Sequence, residues 1–400
     1  MATKLSLSNS SSNALRSVFR QRYLVQQQQQ QRRQQHQLRR HQKFQFQARQ
    51  FTASSSVRAS EATSDESTNG PRPFKVHIGV SFAGKPNEFR APLKKRRKNG
   101  LDFPPESEIA KWRAKSLARV KGVPAKDAGE DFFFVQEMRN NSGVSFGVAD
   151  GVGGWVDSGI DPSLFSQALM YHAHRYAKHA WAGEPEIDPL QDDSKENEHA
   201  SGWELTPHEC LELAHNAVLR EKIVEAGSST ACLLTINSMN GLLRAANLGD
   251  SGFCIFRSSN LLYYQPPQTH YFNCPRQMSK VPVHSRHYGR TLCDYPRDAD
   301  IYQTRLRDGD IVVVYTDGLS DNVFANEMMQ ICTHVTRAGG DEGLQVQSMA
   351  DRMVQYARAC MMSITRVSPF EIAASRVGDS FTGGKIDDVT VIVAMIQETI

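Results

Sequence analysis

Acidic residues recur in short clusters along this 400-residue chain: Glu130-Asp131, Asp150-Gly151, Asp250 within Gly-Asp-Ser, Asp317-Gly318 and Asp387-Asp388. Each adjoins an apolar run that reads as a strand, or a tight turn beside one. Two share a layout in which an apolar stretch runs into Asp-Gly: Val148-Ala-Asp150-Gly-Val-Gly-Gly-Trp and Val314-Tyr-Thr-Asp317-Gly-Leu-Ser-Asp. A strand fixes the carboxylate, and the glycine lets the backbone turn so that its carbonyl can approach a ligand. Several carboxylates without His or Cys partners make a hard-oxygen site suited to Mg2+ or Mn2+. Two such ions, ~3.5–4 Å apart, can hold a hydroxide between them and clamp a phosphoryl group. One Asp-Gly alone reads as an ordinary turn; five clusters at strand ends exceed what turns explain.

Other chemistries fit poorly. The seven cysteines, Cys210, Cys232, Cys254, Cys274, Cys293, Cys332 and Cys360, are scattered and form no C-x-x-C pair. That disfavours a zinc ribbon, a thioredoxin-like site and a disulfide scaffold, and suits a reducing compartment. Cys360-Met-Met-Ser-Ile-Thr-Arg366 fits the bare C-x5-R pattern of cysteine phosphatases, but it lacks the glycines of a phosphate-cradling loop and follows a helical stretch. The thirteen histidines show no metal-ligand spacing. Net charge is +4, yet residues 1–60 hold eleven Lys/Arg and no acid, so residues 61–400 carry −7. An acidic body argues against nucleic-acid binding. No run of 18 apolar residues reads as a transmembrane span.

The elements that must position the acids follow from periodicity. Strands are expected at 74–82, 132–138, 144–149, 231–236, 243–248, 253–257, 261–264, 311–315 and 389–395, the last two buried on both faces. A helix is expected from Pro162 with Asp161 as N-cap, its inner stripe being Leu164, Phe165, Ala168, Leu169 and His172. Thr206-Pro-His-Glu209 is a capping box opening a second helix, with Leu211, Leu213, Ala214, Ala217, Val218 and Ile223 along it. A third helix is expected over 341–361, and the acidic stretch 184–200 reads as a surface loop. Strand pairs, a helical pair, a strand meander and a late helix make an α+β fold. Its centre is a sandwich of two antiparallel sheets with helices on both sides (α-β-β-α) and the dimetal site at one edge.

Residues 1–58 read as a targeting leader. They are basic, Ser-rich and acid-free, with a Gln/Arg low-complexity stretch and an amphipathic pattern at 15–25. Arg49-Gln-Phe51-Thr-Ala-Ser54 matches a two-step matrix processing pattern, placing the mature start near Ala59. No continuous apolar segment supports secretion. Residues 59–73 read as a linker and 74–398 as the catalytic domain. Lys94-Lys-Arg-Arg-Lys98 reads as an exposed loop, with nuclear import as the alternative.

The chain resembles the metal-dependent serine/threonine protein phosphatases of type 2C. The motifs are Gly129-Glu-Asp-Phe, Val148-Ala-Asp-Gly-Val-Gly-Gly-Trp, Gly227-Ser-Ser-Thr-Ala231, Asn247-Leu-Gly-Asp-Ser-Gly252, Tyr315-Thr-Asp-Gly-Leu-Ser-Asp and Lys385-Ile-Asp-Asp-Val-Thr-Val. The Asp-Gly-Val-Gly-Gly-Trp form is similar to the mitochondrial branch, the homologues of yeast phosphatase Ptc-seven. The resemblance implies that Asp150 bridges two Mg2+ or Mn2+ ions and that the Gly151 carbonyl binds one of them. Asp317 and Asp387 would complete the other site, Glu130 and Asp131 would hold metal-bound waters, and Asp250 with Asp317 would form a third, weaker site. It implies direct attack by a bridging hydroxide on phosphoserine or phosphothreonine of mitochondrial metabolic or import-related proteins. The leader would engage the import machinery. Two departures stand out: Val152 occupies the position of the usual His, and Lys126 that of the phosphate-binding Arg, which supplies charge without a bidentate fork. A catalytically weak, phosphate-reading scaffold is the alternative function.

Overall fold

The computed structural model describes residues 73–90, 102–119, 127–183, 204–282 and 291–399. The leader, the linker apart from Pro73, the 94–98 block, the 184–200 loop and Lys126 lie outside the described residues. The chain divides into two units, residues 1–70 with Pro86–Arg90, and residues 71–85 with 91–400. Of the first, only Pro86–Arg90 is described, and it forms one 3-10 turn at Asn87–Phe89.

In the second unit the elements run β1 (Phe74–Ala83), α1 (Glu108–Arg119), β2 (Asp131–Glu137), β3 (Gly143–Asp150), α2 (Ser163–His179) and α3 (Pro207–Arg220). Eight strands follow: β4 (Gly227–Ser229), β5 (Ala231–Asn237), β6 (Leu242–Leu248), β7 (Gly252–Arg257), β8 (Asn260–Tyr264), β9 (Thr269–Tyr271), β10 (Cys274–Pro275) and β11 (Met278–Lys280). The chain closes with β12 (Asp300–Arg305), β13 (Ile311–Tyr315), α4 (Asp317–Ser320), α5 (Ala325–Ala338), α6 (Glu342–Met361), α7 (Pro369–Arg376) and β14 (Val389–Glu398). Two five-stranded antiparallel sheets result, in the orders β1-β14-β13-β7-β8 and β12-β6-β5-β3-β2.

Period-two side-chain alternation builds three apolar layers from these strands. Phe133 of β2 packs between the sheets with Phe82, Phe146, Val148, Val314 and Ile392. Its neighbours Phe132 and Phe134 face the other way, under α2 and α3, with Phe165, Leu169 and Leu211. Likewise Val312 and Val314 of β13 face the sandwich interior, whereas Val313 and Tyr315 pack under α5 and α6 with Met328, Met349 and Met353. The apolar runs are nearly continuous because both faces of these strands are covered. The α-β-β-α architecture is as expected.

Several boundaries differ from the sequence expectations. α2 is bounded at Ser163, one residue later than expected; Pro162 before it has helical φ and ψ (−65°, −28°), and Asp161 Oδ1 accepts from the Ser163 N–H at 3.0 Å. The α3 capping box forms, but the helix ends at Arg220, so Ile223 lies beyond it. β14 extends three residues past Met395 because β1 pairs with it along the full length from Ala83↔Val389 to Phe74↔Glu398. α1, α5, α7 and β12 were not anticipated.

Candidate metal centre

Strand register brings the acids together. Asp131 and Asp150 are directly opposite partners at the ends of β2 and β3. Tyr315 of β13 pairs with Gly252 of β7. Asp317, two residues beyond one, and Asp250, two residues before the other, therefore leave the sheet at the same end. β1 ends at Ala83 opposite Val389, which places Lys85 beside Asp387 and Asp388 in the same way. The sandwich core sets the register, so core packing, not local propensity, determines which carboxylates meet.

Asp150, Asp250 and Asp317 each offer a carboxylate oxygen, all within 4.8 Å of one another. Asp250 Oδ1 and Asp317 Oδ1 are buried and have no hydrogen-bond partner. Burial first, then repulsion among neighbouring acids, holds the Asp131, Asp150 and Asp250 carboxyls well above the usual carboxylate range. For Asp150 the strongest influences after burial are all acids: Asp317, Asp131, Asp387 and Asp250. Orphaned oxygens on crowded hard donors are what a divalent cation satisfies, so the residues present fit Mg2+ or Mn2+.

Two lysines balance the rest of the edge. Lys85 Nζ lies 2.9 Å from Glu130 Oε2, 2.9 Å from Asp387 Oδ1 and 3.5 Å from Asp388 Oδ2. Lys385 Nζ lies 2.5 Å from Asp317 Oδ2, 2.6 Å from Asp321 Oδ2 and 3.2 Å from Asp387 Oδ2. Burial alone would raise Asp387, but the two ammonium groups bring it down to about 2. Glu130 goes the other way: burial pushes it up to about 7 despite Lys85.

Hydroxyl groups and one carboxylate fasten these turns. The Ser229 hydroxyl donates to the Asp150 carbonyl at 2.8 Å, and Thr230 Oγ1 accepts from the Asp150 N–H at 3.2 Å. Trp155 Nε1–H donates to Ser228 Oγ at 2.9 Å. Ser228 in turn donates to Ser279, because the Ser279 hydroxyl proton is given to the Leu292 carbonyl. Thr316 Oγ1 donates to Asp131 Oδ2 at 2.7 Å. Asp388 accepts from the backbone N–H groups of Lys85 and Glu130, so it joins two loops by hydrogen bonds. Gly129 (φ 72°) and Gly318 must be glycine here, since a Cβ at either would stand 1.9 Å from an oxygen of Asp388.

Of the expected site residues, the structure brings Glu130, Asp131, Asp150, Gly151, Asp250, Asp317 and Asp387 to one edge. The three-carboxylate group contains Asp250 and not Asp387, whose oxygens are engaged by the lysines. Sequence reasoning assigned no role to Lys385 and Asp321, although both lie in the quoted motifs, and did not single out Lys85 or Asn322. Asn322 Nδ2 donates to the carbonyls of Gly318 and Lys385, tying the Asp317 turn to the Asp387 loop. Asp321 was findable, four residues after Asp317 and thus on one face of a helical turn; nothing in the local sequence marks Lys85. Cys360 is buried, and burial raises its thiol above the ordinary value, which removes the thiolate a cysteine phosphatase needs.

No family model matches the chain. It is 34% identical over 271 residues to Protein phosphatase PTC7 homolog fig of Drosophila grimshawi, spanning 67% of this chain and 80% of that protein. It is 33% identical over 280 residues to Protein phosphatase PTC7 homolog of Homo sapiens, spanning 70% and 83%. The X-ray structure of the photosystem II phosphatase PBCP superimposes with a TM-score of 0.53 at 24% identity, covering 81% of this chain and all of that one, and thus shares its fold. With carboxylates suited to a divalent cation at the edge of this sandwich, the chain belongs to the PTC7-type protein phosphatases of the 2C family, the metal-dependent serine/threonine phosphatases.

Proposed function

We propose that the chain, through residues 74–398, dephosphorylates phosphoserine and phosphothreonine on mitochondrial matrix proteins, using two Mg2+ or Mn2+ ions. Asp150, the Gly151 carbonyl, Asp317 and Asp387 would hold them. Asp250 with Asp317 offers a third, weaker position. The observation that carries this reading is the Asp150–Asp250–Asp317 group with two buried, unpartnered oxygens. When bound, the ions would acidify water and draw charge from the phosphoryl oxygens.

The protein's own part is to place that chemistry. Thr316 fixes Asp131 from one side, and Lys85 fixes Glu130 from the other, so both carboxyls can orient water by hydrogen bonds. Ser229 and Thr230 fix the backbone on which Asp150 stands. Lys126 would attract the incoming phosphate through charge alone. With Val152 where the family usually has His, the leaving-group proton must come from water or another side chain. The basic leader supports matrix delivery, and metabolic or import-related phosphoproteins are the substrate class that location would supply.

The test is hydrolysis of a phosphoserine peptide by the full chain in chelator, then with Mn2+ or Mg2+ restored. Turnover is expected only with metal and should survive thiol alkylation. Equal turnover in chelator, or none with either ion, would overturn the reading.

A further inference from the structure

Among the described residues the acidic edge contains two cations of its own, and they are unevenly placed. Lys385 spans Asp317 Oδ2, Asp321 Oδ2 and Asp387 Oδ2. Lys85 takes the remaining oxygen of Asp387 at 2.9 Å. Both oxygens of Asp387 are therefore engaged, whereas Asp250 Oδ1 and Asp317 Oδ1 are buried and unpartnered.

Lys385 is also held by its backbone. Its N–H donates to Asn322 Oδ1 at 2.9 Å and its carbonyl accepts from Asn322 Nδ2 at 2.9 Å. The ammonium stands 5.1 Å from the Phe370 ring centroid, a cation–π contact. A tethered ammonium on a buried carboxylate is a competitor for any cation that requires the same oxygens. The competition is unequal across the edge, because Lys385 contacts Asp317 and Asp387 but makes no contact with Asp150.

We propose that Lys385 is an internal competitor for the second divalent ion, so that the edge fills in two unequal steps. The first ion takes Asp150 and the Gly151 carbonyl, which Lys385 does not pair with. The second enters only when Lys385 releases Asp317 and Asp387 and stays on Asp321, the one of its three partners that the two-ion reading leaves without a metal. Lys385 is thus a positioning residue that sets the affinity of one step and not the other. The proposal rests on the two-ion reading above.

The test is calorimetric titration of the full chain with Mn2+. Wild type is expected to show two classes of site. Lys385→Met and Lys385→Gln should tighten the weaker class at least tenfold while moving the tighter class by no more than about threefold, since a buried unit charge beside the ligands outweighs a tenfold change. Lys111→Met, whose ammonium pairs with exposed Glu108, should change neither. Two classes in wild type that both variants leave within about twofold would sink the competition while sparing the two-ion reading. A single bound ion in wild type would sink both. A wild-type measurement covers the case in which neither variant folds. Pulsed acylation read by mass spectrometry should label Lys385 more strongly over the Mn2+ range that fills the weaker class. Unchanged labelling to saturation would overturn the displacement.

Discussion

Asp150→Asn separates the electrostatic state of the metal-free edge from its chemistry. Asn keeps the side-chain volume. It also leaves intact the backbone bonds at this residue, where Thr230 Oγ1 accepts its N–H and Ser229 donates to its carbonyl. What is lost is a charge surrounded by acids. Carboxylate oxygens within 4.8 Å repel by ~3–4 kcal/mol per pair at an effective dielectric constant of ~20. Protonation caps the cost: a carboxyl kept neutral at pH 7.5 costs the fold ~1.4 kcal/mol per pH unit above an unfolded value near 3.9, a ceiling of about 5. After local relaxation and residual hydration, metal-free Asp150→Asn should be more stable than wild type by about 1–3 kcal/mol. That corresponds to roughly 2–4 °C in Tm for each kcal/mol. Asp317→Asn should show no such gain, because it also removes the partner that Lys385 holds at 2.5 Å. With Mn2+ at 100 times Kd the wild type gains ~2.7 kcal/mol and the Asn variant much less, so the variant's lead in melting temperature shrinks or reverses. Turnover should fall at least ~100-fold, since several kcal/mol of transition-state stabilisation goes with the metal. Thermal melts in chelator and in Mn2+, with a phosphopeptide assay alongside, decide it. A metal-free Asp150→Asn protein less stable than wild type, or one with the full metal-induced gain, would refute the reasoning.

Stability should also depend on pH in a direction that metal reverses. Burial raises Glu130 from 4.5 to about 7 and Asp321 from 3.8 to about 7. The unfolded chain ionises first, so metal-free stability falls as pH climbs from near 4 to about 7; Asp387, lowered to about 2, acts oppositely only below 3.8. The Tm difference between Mn2+-loaded and metal-free protein should therefore widen from pH 5 to pH 7, and a constant difference would count against it. Cys360→Ser should leave turnover within about twofold of wild type, measured on the same phosphopeptide, because the thiol is buried and un-ionised. Removal of residues 1–58 should leave turnover intact, and a fluorescent fusion of residues 1–60 should enter mitochondria; a cytosolic fusion would remove the basis for matrix delivery.

Elements covered on both faces were legible, because continuous burial demands a continuous apolar run: residues 311–315 match β13 at both ends. α3 was legible at its start, where the Thr206–Glu209 capping box satisfies otherwise unpaired N–H groups. The elements that escaped carry weaker patterns. β12 is an edge strand pairing only with β6, and Asp300, Ile301, Gln303 and Arg305 on it are exposed, so no apolar alternation marks it. α1 buries little beyond Ile109 and Ala110, and Trp112 packs only partly. α5 did carry a signal, Met328, Cys332 and Val335 at helical spacing, with Glu327 accepting from the Phe324 N–H at its start.

The acids of the site were legible for a different reason than the lysines were not. A hard-cation site needs several carboxylates on rigid backbone, and Asp-Gly at a strand end is how a chain provides one, so the requirement is written locally at each motif. Charge compensation has no local form. Lys85 and Asp388 are 303 positions apart, and Lys385 and Asp317 are 68 apart. They meet because β1 pairs with β14 and β13 pairs with β14, and that register is imposed by Phe82, Val314 and Ile392 packing between the sheets. The same register fixes which acids receive an ammonium and which do not. Asp387 has two, which bring it down to about 2; Asp150, at the end of β3 in the other sheet, is buried among acids that hold its carboxyl well above the usual carboxylate range. Apolar packing in the sandwich thus determines where the charge at its edge remains uncompensated, and therefore where a divalent cation can bind.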